Sequence, residues 1–205
     1  MKKMVFALLL ITTFSQAQYR LRYDKLFMEA GVGMAIPLSL VSPSGENRPL
    51  SLVHGQGALR YMFTENIGVL GSLSFDQFNH GIQKSDQLMA GLELVYNLGN
   101  LIEISRNTGG QFGLLVHGGA GAGVMSSQYF NRDKIGALMI GAKPFIIINE
   151  KVSLFADLTY KSTLSQKIYY NGDLVGKDIT GSNLGLTFGF IVALGQNRFH
   201  ADSAY

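Results

Sequence analysis

Between Phe27 and Leu194 apolar residues alternate with small or polar ones at a period of two, the pattern of strands with one apolar face. The stretch Ser182 to Leu194 shows it most clearly. Leu184, Leu186, Phe188, Phe190, Val192 and Leu194 fall on one side, and Asn183, Gly185, Thr187, Gly189 and Ala193 on the other. The pattern predicts eight strands: Phe27–Leu38, Val53–Phe63, Ile67–Phe75, Gln87–Leu98, Phe112–Met125, Ile135–Ile148, Lys151–Tyr160 and Ser182–Leu194. Each is close to the roughly 9–11 residues that a tilted membrane strand needs. A final strand of this kind carries an open hydrogen-bonding edge, and pairing with the first strand satisfies it by closing a ring.

The two faces sort by charge. One carries Met28, Val32, Ile36, Leu59, Val69, Leu73, Leu88, Leu92, Leu94, Leu138, Ile140, Leu154 and Leu158, with no charged residue. The other carries Glu29, Gln56, Arg60, Asp76, Glu93, His117, Lys143 and Asp157. A basic residue at the bilayer midplane costs about 2–4 kcal/mol, so turning several strands inside out costs on the order of 10 kcal/mol and the register is strongly specified. A soluble barrel has the opposite polarity. The fold class this predicts is all-β, an eight-stranded antiparallel up-and-down transmembrane β-barrel.

The expected connections alternate in length. Thr64-Glu65-Asn66 and Asn149-Glu150 are tight, whereas Ser39–Leu52, Asp76–Asp86, Ser126–Lys134 and Lys161–Gly181 read as longer polar loops. Short turns on the periplasmic side and long loops outside are the habit of outer-membrane barrels, and an even strand number puts both ends of the chain in the periplasm. Gly99–Gln111 lies on the short side yet is long, with a helical turn expected within Asn100–Ser105. Tyr61, Phe63, Tyr96 and Phe112 are expected to form one interfacial girdle, and Phe75, Phe78 and Tyr160 the other.

Composition narrows this further. Lys2 and Lys3, the apolar run Val5–Ile11 and the small-x-small site Ser15-Gln16-Ala17 read as a secretory signal peptide. The expected organisation is a signal at 1–17, a periplasmic segment at 18–26, the barrel at 27–194 and a periplasmic tail at 195–205, too short to fold alone. The formal charge of +3 falls nearly to neutrality without the two signal lysines, which argues against a nucleic-acid partner. No cysteine is present, so disulfides, thiolate metal sites and lipoprotein anchoring are excluded. Glycine, at 25 of 205 residues, exceeds the usual share of about 7%.

Signal, alternating strands, short turns and polar interior together resemble the transmembrane domain of the OmpA-type outer-membrane β-barrel family. The likeness spans Phe27 to Leu194, carried by the closing strand Asn183–Leu194 and by Gly141-Ala142-Lys143-Pro144 running into the Asn149-Glu150 turn. It implies an integral outer-membrane protein with a structural role and at most a narrow, ion-sized pore through a charged lumen. The peptidoglycan-gripping domain of larger relatives is not expected in Gly195–Tyr205, so cell-wall tethering is not carried over. Phe188 and Phe190 are the expected bearers of a signal for the barrel-assembly machinery. The wall implies outer-membrane lipids and lipopolysaccharide as neighbours.

The interior supplies the candidate chemistry. Glu29, Arg60, Asp76, Glu93, Lys143 and Asp157 form the expected charge network, with Gln56 and His117 as further polar lumen residues. Buried charges must be paired, so Arg60 and Lys143 are expected to meet some of Glu29, Glu93 and Asp157. His117 stands alone, and His54 and His80 read as lying toward the loops; no spacing suggests a metal site. No cofactor is expected, because Gly118–Gly123 lacks the spacing of a dinucleotide fingerprint. His80 with Ser85, or Asp76 with Ser74, comes nearest to a base beside a nucleophile, but their spacing does not favour catalysis, and the chain reads as no enzyme. Tyr129, Phe130, Tyr169 and Tyr170 are candidates for contact with an extracellular ligand, which would make the barrel a scaffold for binding loops. Pro144 removes a ladder donor from a closed sheet, and a bulge is expected there.

Overall fold

The computed structural model describes residues 23–41, 50–80, 83–128, 132–195, 199–200 and 202. The signal segment, Tyr129 and Phe130 lie outside these residues, as does the side chain of His80. Ten strands are described: β1 (Tyr23–Asp24), β2 (Leu26–Ser39), β3 (Leu50–Met62), β4 (Ile67–His80), β5 (Gln83–Asn97), β6 (Phe112–Ser127), β7 (Asp133–Ile147), β8 (Val152–Ile168), β9 (Leu174–Ala193) and β10 (Phe199–His200). Strands β2 to β9 form a closed antiparallel barrel in sequence order. β9 closes the ring against β2, with Gly31 opposite Gly189 and Phe27 opposite Ala193. β1 and β10 make a separate two-stranded parallel sheet.

The wall has the polarity that the alternation demands. Val32 is 71% exposed, Leu92 68% and Ile140 65%, whereas Glu29, Arg60, Glu93 and Lys143, on the opposite face of the same sheet, are buried. Among the described residues no helix is long and apolar enough to cross a membrane. Tyr61, Phe63, Phe75, Phe112 and Tyr160 stand on the outer face, and Tyr61 meets Phe63 edge-on at 5.6 Å.

Strands β4, β5, β8 and β9 run well past their expected ends. Asp76–Asp86 is mostly strand, and Lys161–Gly181 is a long hairpin rather than a loop. The polar inward residues of these extensions, such as Lys161 and Thr163, pair across the sheet like any others and only look like loop in sequence. Irregularities fall between Thr163 and Gln166 and between Gln166 and Ile168, with Ser165 at φ 58. On the short side, Leu98–Leu101 and Ile104–Asn107 are single helical turns within the long connection. Asn97 caps the first by accepting from Asn100 N at 3.2 Å, and Asn100 Nδ2 donates to the Glu65 carbonyl of the neighbouring turn.

Pro144 needs no bulge. Ala142 pairs with Leu158 and Phe145 with Phe155 in one unbroken register, and the pairing is simply skipped at Lys143 and Pro144. The β6 side of the ladder continues, with Pro144 opposite Leu114. Leaving out a rung costs less here than bending a strand that must stay in step with both neighbours. Pro37 is the proline at a register shift, between Pro37 and Ser39.

Candidate functional site

Inward side chains fill the barrel in three layers. The layer nearest the short turns is apolar: Phe27, Met62, Leu70, Val95, Leu115, Phe145, Phe155 and Ile191. A second apolar layer closes the other end with Ala35, Phe78, Met89, Met125, Ile135, Met139, Ile168 and Tyr170. The charged residues lie between them. An eight-stranded barrel is just wide enough to be filled by side chains, and glycine makes the bulky ones fit. A Cβ on Gly141 would collide with the His117 ring, and one on Gly113 with the Phe145 ring.

The charged layer begins at Arg60, carried near the short-turn end of β3. Its Nε donates to Glu29 Oε1 at 2.7 Å, while Nη1 and Nη2 donate to Asp202 Oδ1 and Oδ2 at 2.6 and 2.7 Å. The guanidinium lies 4.2 Å from the centre of the Phe27 ring. Glu29 also accepts from Lys143 Nζ at 2.6 Å, and Lys143 Nζ stands 3.3 Å from Asp157 Oδ2. His117 continues the series, with Nε2 at 3.0 Å from Asp157 Oδ1 and Nδ1 at 2.6 Å from Glu93 Oε2. A ring with a carboxylate oxygen at each nitrogen is fully satisfied only when both nitrogens donate. Ser72 Oγ donates to Glu93 Oε1, and Thr159 Oγ1 to Asp157 Oδ1. Strands of the wall and the segment after β9 are thus joined through one buried chain of charges.

A second group lies toward the long-loop end. His54 Nδ1 is 2.6 Å from Asp76 Oδ1 and its Nε2 2.8 Å from Thr187 Oγ1. Lys161 Nζ donates to Ser74 Oγ at 3.1 Å and approaches Asp76 Oδ2 at 3.4 Å. Thr187 also contacts Gln56 Oε1 at 3.4 Å. A hydroxyl, an imidazole and a carboxylate in series are the geometry of an activated nucleophile. Here all of them are buried behind the apolar layers, and Thr187 is additionally held by Gln56, so the series reads as a structural relay across β3, β4 and β9.

The six expected network residues fall into these two groups. Arg60 and Lys143 meet Glu29, and Lys143 also meets Asp157; Glu93 turns instead to His117 and Ser72, and Asp76 to His54 and Lys161. Sequence reasoning missed Lys161, His54 and Asp202. Lys161 shares the parity of Asp157 and Thr159, and His54 that of Gln56 and Arg60, so the signal was present and was obscured by reading both near loops. Asp202 has no periodic signal at all.

Two expected placements are corrected. Phe78 is not part of an outer girdle but fully buried in the lumen, where Tyr170 packs edge-on against it at 4.8 Å. Tyr170 accordingly is no exposed ligand contact. The β8–β9 turn folds inward over the mouth, with Tyr170 N donating to Leu40 O, Asn171 N to Val41 O, and Ser85 Oγ to Tyr170 O. Burial pushes the Tyr170 hydroxyl up to about 12, so it stays neutral beneath the lid. Phe188 and Phe190 both face outward from β9.

Comparison with solved structures agrees with this geometry. Neisserial surface protein A matches with a TM-score of 0.57 at 10% identity, over 82% of this chain and 97% of that one. A major outer membrane protein from Thermus thermophilus matches with a TM-score of 0.50 at 12% identity, over 83% and 99%. The chain has the fold of the eight-stranded outer-membrane β-barrels. No protein-family model and no curated protein matches it. Identities this low establish the barrel fold and leave its use to be read from the residues. Among the described residues the interior holds one apolar cluster toward the short turns and another toward the long-loop end.

Proposed function

We propose that the protein is an integral outer-membrane barrel with a structural role, closed at rest and passing ions at most through a narrow path. The observation that carries this reading is the stacking of a charged layer between two apolar ones. Ions crossing the lumen must break the pairs around Glu29 and Asp157 and displace the Phe78–Tyr170 contact, and both are held by several bonds. The short turns and both ends of the chain then face the periplasm. Outer-membrane lipids and lipopolysaccharide surround the wall, and the outward Phe188 and Phe190 serve recognition by the barrel-assembly machinery.

Planar bilayers containing the purified, refolded protein test this directly. The expected recording is a closed baseline, with any openings brief and small. A sustained ohmic conductance would contradict it, because a permanently open lumen is incompatible with two intact apolar layers.

A further inference from the structure

The connection between β5 and β6 is the long one at the end of the barrel where the β3–β4 and β7–β8 turns are tight. It is firmly built. Its first turn is capped by Asn97 and tied through Asn100 Nδ2 to the Glu65 carbonyl and to Asn66 Oδ1 of the neighbouring β3–β4 turn. Gly99 lies so close to β6 that a Cβ there would press on Leu114 N. The second turn is closed by Thr108 Oγ1, which donates to the Ile104 carbonyl and accepts from Phe112 N where β6 begins. Between the two turns Glu103 takes a left-handed φ of 55, a conformation that a residue other than glycine keeps only where its surroundings hold it.

This frame holds two adjacent aliphatic side chains outward: Leu101 is 64% exposed and Ile102 49%. Single apolar residues at a surface are ordinary, but this pair adjoins an apolar surface that already exists. Phe63 and Ile67 flank the turn to which Asn100 is tied, Phe112 opens β6, and Ile146 pairs with Phe112 from β7; all four are exposed on the outer wall. Glu103 and Arg106, on the same connection, are exposed and 3.7 Å apart. Aliphatic and charged groups thus occur side by side, as in segments that lie in the plane of a bilayer surface.

We propose that the β5–β6 connection is an interfacial anchor, which lays Leu101 and Ile102 into the boundary between headgroups and acyl chains and so continues the lipid-facing wall past the ends of the strands. Its partner is the lipid bilayer itself. Arg106 meets the lipid phosphates, because its exposed pairing with Glu103 competes only weakly for the guanidinium. This goes beyond the closed-lumen reading, since it concerns how the short-turn rim sits in the membrane, and it rests on the wall lying in lipid.

The chain has no tryptophan, so Leu101→Trp gives the full chain a unique fluorophore when it is refolded into phosphatidylcholine vesicles with iodide available on both sides of the membrane. Its emission is expected to be shifted to the blue of Lys167→Trp, at an exposed position of the β8–β9 hairpin. It is also expected to resist iodide and to lose most of its intensity in lipid brominated near the headgroup end of the acyl chains. Leu92→Trp, in the middle of the wall, is expected to be quenched best by bromines deep in the chains. Ile102→Trp is expected to behave as Leu101→Trp does and serves if that variant folds poorly. Iodide quenching of the connection variants as strong as that of Lys167→Trp, with no quenching by brominated lipid, overturns the anchor. If Leu92→Trp is still quenched by brominated lipid, the anchor alone falls; if it is not, the wall is removed from lipid and the anchor with it.

Discussion

Lys143→Glu is expected to cost the barrel about 3–5 kcal/mol of stability, the range for breaking a buried ion pair so that a charge is left uncompensated. Lys143 Nζ is the group that keeps Glu29 and Asp157 together, at 2.6 and 3.3 Å. Reversal puts a third carboxylate between them, in a place where water cannot screen the repulsion. Arg60 cannot move over to relieve it, because its guanidinium is already committed to Glu29 and Asp202. Urea unfolding of the protein in lipid vesicles, followed by circular dichroism, measures the loss. The matched control is Lys167→Glu, whose partner Asp178 is exposed. Surface pairs contribute only about 0–1 kcal/mol, so the control is expected to stay close to the parent. Equal midpoints for both variants would show that the lumen pairs carry no more weight than surface ones.

Ile140→Arg is expected to be nearly as damaging for the opposite reason. Ile140 sits at the centre of β7, exposed on the outer face and opposite Gly118 and Tyr160. Nothing in the barrel interior is disturbed by a side chain there, so in water the substitution would be harmless. In a bilayer it places a guanidinium at the midplane, at a cost of about 2–4 kcal/mol. Folding yield into vesicles is expected to drop, while the yield in a loose detergent micelle, where the charge reaches water, is expected to fall much less. An identical yield in both environments would remove the wall from contact with lipid.

The sequence was most legible where lipid does the sorting. A strand embedded in hydrocarbon must keep every outward residue apolar, so Met28, Leu92 and Ile140 announce their face without help from their neighbours. Beyond the hydrocarbon that demand lapses. Lys161, Thr163 and Gln166 are inward residues of a continuing hairpin, but with serines and lysines on either side they have the composition of a loop. Phe78 shares the inward parity of Ser74 and Asp76 and is misplaced only when the strand is taken to end at Phe75, whereas Tyr170 lies in a turn, where alternation carries no signal.

The charge network was legible in membership more than in pairing. Inward parity identifies Glu29, Arg60, Glu93, Lys143 and Asp157, yet which cation meets which anion depends on the stagger between strands, and alternation carries no information about stagger. Glu93 therefore finds His117 on β6 in place of a lysine or arginine. Asp202 was beyond reach for a different reason. It belongs to no long strand, and nothing local marks an aspartate that acts at a distance through a single arginine.

An outer wall of apolar residues surrounds a charged interior, and accessibility along one strand reads that arrangement out. In a chain with no cysteine, spin labels placed singly at Leu92, Glu93, Leu94 and Val95 of β5 report collision with oxygen, which concentrates in lipid, and with a water-soluble nickel chelate. Labels at Leu92 and Leu94 are expected to show high oxygen accessibility in vesicles, and labels at Glu93 and Val95 low accessibility to both. Contradiction would be a label at Glu93 in contact with lipid, or labels at Leu92 and Leu94 that meet the nickel chelate freely.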